Sequence, residues 1–265
     1  EYGSSIDQEL KRLGISTDWS RARFTMDERY QRAIEQVFIH YYEKGYLYRG
    51  QRVVNWCPRC QTTISDLEVK YQEETGKLYF IKYGPVVVAT TRPETRLGDT
   101  ALAVHPDDAR YKEYIGKELS IETVDTSVQR WRSPRPLTIT IPVVGDMAAD
   151  PKFGTGVIKV TPAHDLTDFE IRSRNQHIGI VKIIDESALM TKEAGIRYEG
   201  LSVMEAREKI VEDMERLGLF EKIEDHTHNV ARCDRCDTII EPLLSDQWFL
   251  SMEKLAARAR QAIVK

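Results

Sequence analysis

Four cysteines stand in two short pairs, Cys57-Pro-Arg-Cys60 and Cys233-Asp-Arg-Cys236. Each pair lets two thiolates reach one ion from a tight turn, and two such turns complete the tetrahedral sulfur shell that zinc prefers. A full sulfur shell leaves no position for water, so the zinc expected at Cys57, Cys60, Cys233 and Cys236 is structural. The neighbouring arginines favour the thiolate form, and His226 and His228 are alternative ligands. In a reducing compartment this spacing points to a metal site before it points to disulfides.

A second stretch, Phe153-Gly-Thr-Gly-Val-Ile-Lys-Val-Thr-Pro-Ala-His-Asp-Leu-Thr-Asp-Phe-Glu170, carries more varied chemistry. Strand alternation sends Val157, Lys159 and Thr161 to one face and Ile158 and Val160 to the other, so a cation and a hydroxyl share a side. Pro162 ends the strand. Asp165 is then placed to cap a helix, with Asp168 one turn inside it, which brings two carboxylates to the strand end. A local account is also open: Asp165 caps, Asp168 complements the helix dipole, and Lys159 neutralises both. A third stretch, Ala89-Thr-Thr-Arg-Pro-Glu-Thr95, follows the apolar run Val86 to Val88 and delivers Thr90, Thr91, Arg92 and Glu94 to one sheet edge. The Gly154-Thr-Gly156 turn is not a phosphate loop, because no Gly-Lys-Ser/Thr follows it.

The elements that must hold these groups are mixed. Thr25 and Glu28 read as a capping box ahead of an apolar helix face at Ile34, Val37, Phe38 and Tyr41, with Gly45 as its stop. From Arg52 the period shortens to β-rich runs at 52–56, 78–83, 86–91, 137–144, 157–161 and 180–184, punctuated by Gly, Pro and Asp. Helical patterns follow at about 165–176, 203–217 and 252–264. The expectation is an α+β fold with a β-rich, barrel-like domain and peripheral helices, carried on a small zinc-ribbon stalk. Its divisions are a helical flank over 1–50, a stalk from 51–75 with 224–250, a compact domain over 76–223, and a C-terminal helical flank over 251–265.

The 265 residues are 41% hydrophobic and 30% charged, a soluble globular balance with length enough for a core. A net charge of −4 argues against indiscriminate coating of nucleic acid, so any RNA contact must be local. No apolar run reaches the length of a membrane span and no signal peptide is visible, which makes a cytoplasmic origin the default. The chain opens on Glu1 in mid-pattern, as expected of a segment of a longer protein.

The run from Val86 through Ala89-Thr-Thr-Arg-Pro-Glu-Thr95 to Asp108 resembles the threonine-rich editing motif of valyl-tRNA synthetases. Gly154 to Glu170 resembles their second editing motif, and the likeness extends through Asn55–Cys60, Ser65–Glu68 and Ser245–Phe249, covering nearly the whole chain. Lys159-Val-Thr-Pro-Ala-His-Asp165 favours the valine family over its isoleucine and leucine relatives. The His-Ile-Gly-His and Lys-Met-Ser-Lys-Ser signatures of ATP chemistry are missing, and His177-Ile-Gly-Ile180 lacks the second histidine.

The resemblance implies hydrolysis of threonine wrongly esterified to valine tRNA, without amino-acid activation and without ATP. A hydrophobic pocket cannot strongly reject threonine, an isostere of valine, and valyl-tRNA synthetases are the usual illustration of that limit. By the same resemblance Lys159, Thr161 and Asp165 would read the threonine hydroxyl, and Asp168 would hold the α-ammonium. His164 would serve as a base or as a structural turn residue. Thr90, Thr91, Arg92, Glu94 and Phe153 would hold the RNA 3′ end. Apart from the resemblance, Arg130-Trp-Arg132 with Arg135 reads either as an exposed solvated loop, the commoner case, or as an outer RNA contact. The implied partners are the 3′ end of tRNA(Val) carrying threonine and the remainder of a synthetase, with the chain a monomer free of membranes. Two other readings stay open: a non-catalytic module that only holds a tRNA 3′ end, and an isoleucyl-type editing domain acting on valyl-tRNA(Ile).

Overall fold

The computed structural model describes residues 2–264 and divides the chain into two compact units, Glu1–Gly50 with Gln247–Lys265, and Gln51–Asp246. The first holds three helices, α1 (Tyr2–Arg12), α2 (Glu28–Glu43) and α5 (Glu253–Ile263). Helix α2 starts differently from expectation. Asp27, not Thr25, is its cap, and the Asp27 carboxylate accepts the Tyr30 N–H at 2.7 Å. It ends as expected at Gly45, whose φ of +68° lets Tyr46 N–H return to the Tyr41 carbonyl. Phe38 and Tyr42 meet Trp248 edge-on, while Ile34, Val37 and Ile39 of the same helix stay exposed. Among the described residues no helix is long and apolar enough to cross a membrane.

Strand β1 (Leu47–Cys57) begins in the first unit; in the second it reaches the first cysteine pair and turns back through β2 (Thr62–Thr63). Strand β3 (Val69–Tyr83) then leaves the cysteines. It pairs antiparallel with β9 (Phe220–Cys233) from Val69↔Cys233 to Ile81↔Phe220, with a register shift near Phe80. The far end of this two-stranded ribbon adds β4 (Val86–Thr90). A four-stranded sheet in the order β6-β7-β5-β8 comprises β5 (Ala101–Val104), β6 (Glu118–Val124), β7 (Pro136–Gly145) and β8 (Val157–Val160). Helices α3 (Leu166–Arg174) and α4 (Val203–Arg216) lie near the expected ranges, and β10 (Glu241–Leu250) follows the second cysteine pair.

The fold is α+β and sheet-rich, but the described strands form three separate sheets and no closed barrel. Strands β4 and β8 come close without a main-chain ladder. Just ahead of β8 the chain turns at Gly154 and Gly156, with φ of +54° and +82°. There a side chain makes the link that a ladder would make: the Thr155 hydroxyl donates to the Val87 carbonyl at 2.5 Å. The expected strand at 180–184 is likewise not formed beyond a single bridge, Ile184↔Met190. Its buried amides are satisfied elsewhere, as the site shows.

Strand β8 separates two apolar clusters. Val157 belongs to the cluster that holds Leu102, Val104, Ile183 and the α4 residues Ala206 and Ile210, whereas Ile158 and Val160 belong to the one that holds Ala101, Ala103 and Ile171 of α3. The alternation expected of this strand is therefore real, and Lys159 falls on the Val157 side. Large buried aliphatic side chains contribute about 1.5–3 kcal/mol each, so the site rests on a rigid floor.

Candidate functional site

One cavity of about 440 Å³ gathers most of the polar groups singled out above. Thr90, Thr91, Lys159, Thr161, Asp165 and Asp168 all line it, and Phe153, 62% exposed, stands beside them. Strand β4 delivers the threonines as it runs out, β8 delivers Lys159, and the start of α3 delivers the two carboxylates.

Lys159 is buried, and a buried ammonium must be paired. Its Nζ donates to Thr161 Oγ1 at 2.7 Å and lies 3.4 Å from Asp99 Oδ1. The Thr161 hydroxyl in turn donates to the same Asp99 oxygen at 2.5 Å, and the other Asp99 oxygen accepts the Tyr83 phenol. Two of the three ammonium donors are thus engaged from below. Asp99, not Asp165 or Asp168, is the counter-charge of Lys159. Sequence reasoning passed over Asp99 and Tyr83. A signal existed, since a lysine on an inward-facing strand position demands a carboxylate, and Asp99 lies two residues ahead of Ala101, the β5 residue that pairs with Val160.

Asp165 is the cap of α3. Its Oδ1 accepts the N–H groups of Thr167 at 2.8 Å and Asp168 at 3.1 Å. Asp168 turns into the protein, where its Oδ2 accepts the Thr161 N–H at 2.8 Å. Burial, helped by the neighbouring Asp165 carboxylate and by Asp99, raises the Asp168 pKa to about 7, against the opposing pull of Lys159 and the Thr161 amide. A carboxyl poised near neutrality inside a cavity is a group whose charge a ligand can set.

Two residues expected at the RNA 3′ end are committed elsewhere. Glu94 is 0% exposed and lies outside the cavity lining. It receives a two-pronged pair from Arg207 of α4, both bonds 2.8 Å, and a 3.2 Å bond from Arg92. Burial opposes its ionisation, but Arg207 and then Arg92 hold its pKa below the ordinary value. Arg92 touches the cavity, yet its guanidinium is spent on Glu94, on Glu241 at 2.5 Å and on the His164 carbonyl at 3.2 Å. Glu94 is therefore too deep to meet a ligand, and Arg92 has no fork left for a phosphate. Thr90 accepts the Arg92 N–H at 3.1 Å, which shapes the turn while leaving its own proton for the cavity.

His164 is also structural. Its Nε2 accepts the N–H groups of Ile183 at 2.9 Å and Ile184 at 3.3 Å, so the lone pair a base would need is occupied. These are the amides that a strand at 180–184 would have paired in a ladder. Burial first, then the Arg92 charge, push the His164 pKa down to about 3, leaving a neutral ring.

The four thiols converge. Among the described residues the Sγ atoms of Cys57, Cys60, Cys233 and Cys236 all lie within 4.8 Å of one another, and all four are free. The two turns repeat one geometry: Gln61 N–H returns to the Cys57 carbonyl at 2.9 Å and Asp237 N–H to the Cys233 carbonyl at 2.8 Å. Gln61 and Asp237 have φ of +53° and +62°. Sulfurs about 2.3 Å from a tetrahedral zinc would be about 3.8 Å apart, so this set can hold the ion after small adjustment. Of the flanking arginines, Arg235 pairs with Glu68 rather than with a thiol.

The family description of class I tRNA synthetases (I, L, M and V) matches residues 1–265. Valine–tRNA ligases of Thermotoga maritima and Carboxydothermus hydrogenoformans are each 50% identical to it, and that of Geobacter sulfurreducens is 48% identical. These matches cover 98–99% of the chain but only 29% of each relative's length. On these grounds the chain belongs to the class I tRNA synthetase family, among its valine–tRNA ligase members.

Proposed function

We propose that this chain is an editing region of a valine–tRNA ligase, and that its cavity hydrolyses the ester linking threonine to tRNA(Val). The observation that carries the reading is the convergence of the Lys159 ammonium, the Thr161 hydroxyl and the Asp168 carboxyl on one cavity, with no committed nucleophile among them. Water adds to the ester carbonyl, the bond to the ribose oxygen breaks, and that oxygen leaves with a proton as the free 3′-terminal adenosine hydroxyl. The ester is already activated, so orientation of substrate and water supplies most of what is required.

In this reading Asp168 holds the substrate α-ammonium. An arriving cation favours the ionised carboxylate, so a group near pKa 7 charges as it binds. The third Nζ–H of Lys159, held in place by Asp99 and Thr161, meets the threonine hydroxyl. Valine would leave it unpaired, at a cost of about 1–3 kcal/mol. Asp165 lines the same side, and Thr90, Thr91 and Phe153 receive the terminal adenosine. Zinc held by the four cysteines would be a structural cross-link at the base of a stalk formed by 51–75 and 224–250, with 76–223 as the editing domain.

The test is deacylation of threonyl-tRNA(Val), valyl-tRNA(Val) and valyl-tRNA(Ile) by the 265-residue chain. Loss of threonine but not valine is expected, with Asp168→Ala inactive yet folded. Protection of the threonyl ester would mark a binding module instead, and preferential hydrolysis of valyl-tRNA(Ile) an isoleucine-type specificity.

A further inference from the structure

The loop between β6 and β7 is built unlike an ordinary surface loop. Arg197, fully buried, makes a two-pronged pair with Asp213 of α4, both bonds 2.6 Å, and the Tyr198 phenol donates to the same carboxylate at 2.8 Å. The rest of the Arg197 fork reaches up to the loop, where Nη1 donates to the carbonyls of Gln129 at 3.1 Å and Arg132 at 3.0 Å. Arg130 closes the clasp from above by donating to the carbonyls of Arg197 and Glu199. Gly195, at φ of +81°, lies so close that a Cβ would collide with the Thr126 side chain. A wholly buried ion pair costs several kcal/mol of desolvation, and here it holds the backbone of a loop whose Trp131, Arg132 and Ser133 are exposed.

That loop presents Trp131, 80% exposed, beside the exposed Arg132. Arg132 lines a second cavity of about 460 Å³ with Arg135, Ser127, Ser133 and Gln129. Arg135 is tied to Asp125 at 3.3 Å, whereas no bond or ion pair from the Arg132 guanidinium exists among the described residues. An exposed indole and an uncommitted guanidinium on a rigid base are suited to nucleic acid: a planar fork for a phosphodiester and a π-face for stacking. Strand β7 leads from this loop toward the first cavity: Lys159 stands level with Val143, two strands over through Leu102, so the loop's end at Pro136 is seven residues, about 23 Å, away along the strand.

We propose that the Trp131–Arg132 loop is an RNA-backbone contact that grips tRNA about 20–25 Å from the reacting ester, beyond the terminal nucleotide. The partner rests on the editing reading, but the test separates the two. Only the backbone of Arg132 serves the clasp, so changing its side chain spares the fold. Binding of tRNA(Val) by the 265-residue chain is measured by fluorescence anisotropy across a salt series, with Arg132→Ala and Trp131→Ala compared. Arg132→Ala should weaken binding and lower the log–log salt slope by about 0.7–0.9, the loss of one phosphate contact. Trp131→Ala should weaken binding about 5- to 150-fold. Hydrolysis of a threonyl ester on a short oligonucleotide ending in the 3′ adenosine should be unchanged in both. Unchanged tRNA affinity and slope in both variants would overturn the proposal and leave an acidic protein face as the partner of this loop. Failure of the wild-type chain to hydrolyse any threonyl ester would sink the editing reading while the binding comparison still decides this one.

Discussion

Replacing Asp168 by asparagine should separate stability from activity in a pH-dependent way. The buried carboxyl has a pKa near 7 in the folded chain against an ordinary value of 3.8, a distance worth about 4 kcal/mol. Between pH 4 and 7 the folded state therefore holds a proton that the unfolded state has released, so wild-type stability falls as pH rises through this window and levels off above it. Asparagine cannot ionise, and its carbonyl can still accept the Thr161 N–H that Asp168 accepts at 2.8 Å. The exchange gives up roughly 1 kcal/mol of charge-assisted bonding. At pH 8 Asp168→Asn should thus be more stable than wild type by about 3 kcal/mol, and near pH 4 the advantage should vanish. Urea unfolding of both proteins at several pH values reads the difference directly, and contributions common to both, such as that of neutral His164, cancel. Parallel pH profiles separated by less than about 1 kcal/mol of change would refute the claim that burial strains this carboxyl. Deacylation should be lost in the variant at every pH, so the site gives up stability for a group it needs.

Other parts of the chain give equally direct tests. Glu94→Ala leaves Arg92 and Arg207 facing each other without their shared carboxylate and should cost about 3–5 kcal/mol in urea unfolding; a loss under 1 kcal/mol would mean the cluster relaxes into water. The carbon-bound ring protons of His164 should show no NMR titration step between pH 5 and 8, because its pKa lies near 3, and an inflection near 6.5 would restore it as a candidate base. Zinc should be released stoichiometrically by thiol modification with a fall in Tm, and Cys236→Ser should bind it more weakly; a chain that unfolds identically with and without the ion would remove its structural role.

The local chemistry of the site was legible because it is written in short-range periods. Alternation along Val157–Thr161 and the cap at Asp165 were enough to bring Lys159, Thr161 and Asp168 to one cavity. What escaped was long-range pairing. Arg92 and Glu94 look like a solvated sheet edge until Arg207 and Glu241, far along the chain, arrive to neutralise them. Asp99 carries no local pattern at all, and only the β5–β8 pairing brings it beside Thr161. The cysteine spacing placed 224–250 in a stalk, but the strand period of β9 itself left no mark. Most of its residues from Glu221 to Asp225 face water on both sides, so no apolar alternation betrays a ribbon that the ladder to β3 nonetheless holds. The run at 180–184 erred in the opposite direction, since Ile183 and Ile184 are buried but their amides answer to a histidine rather than to a neighbouring strand.

The ladder between β3 and β9 has a topological consequence. Because the outgoing and returning strands stay paired, at about 5 Å, from the cysteines up to Phe80, everything beyond is attached to the rest of the polypeptide much as the tip of a hairpin is. Its size then imposes almost no loop-closure entropy on whatever carries it. A tight two-residue turn could replace the tip, or the tip could be grafted onto another ribbon of matching register, and neither chain would need to redraw its path.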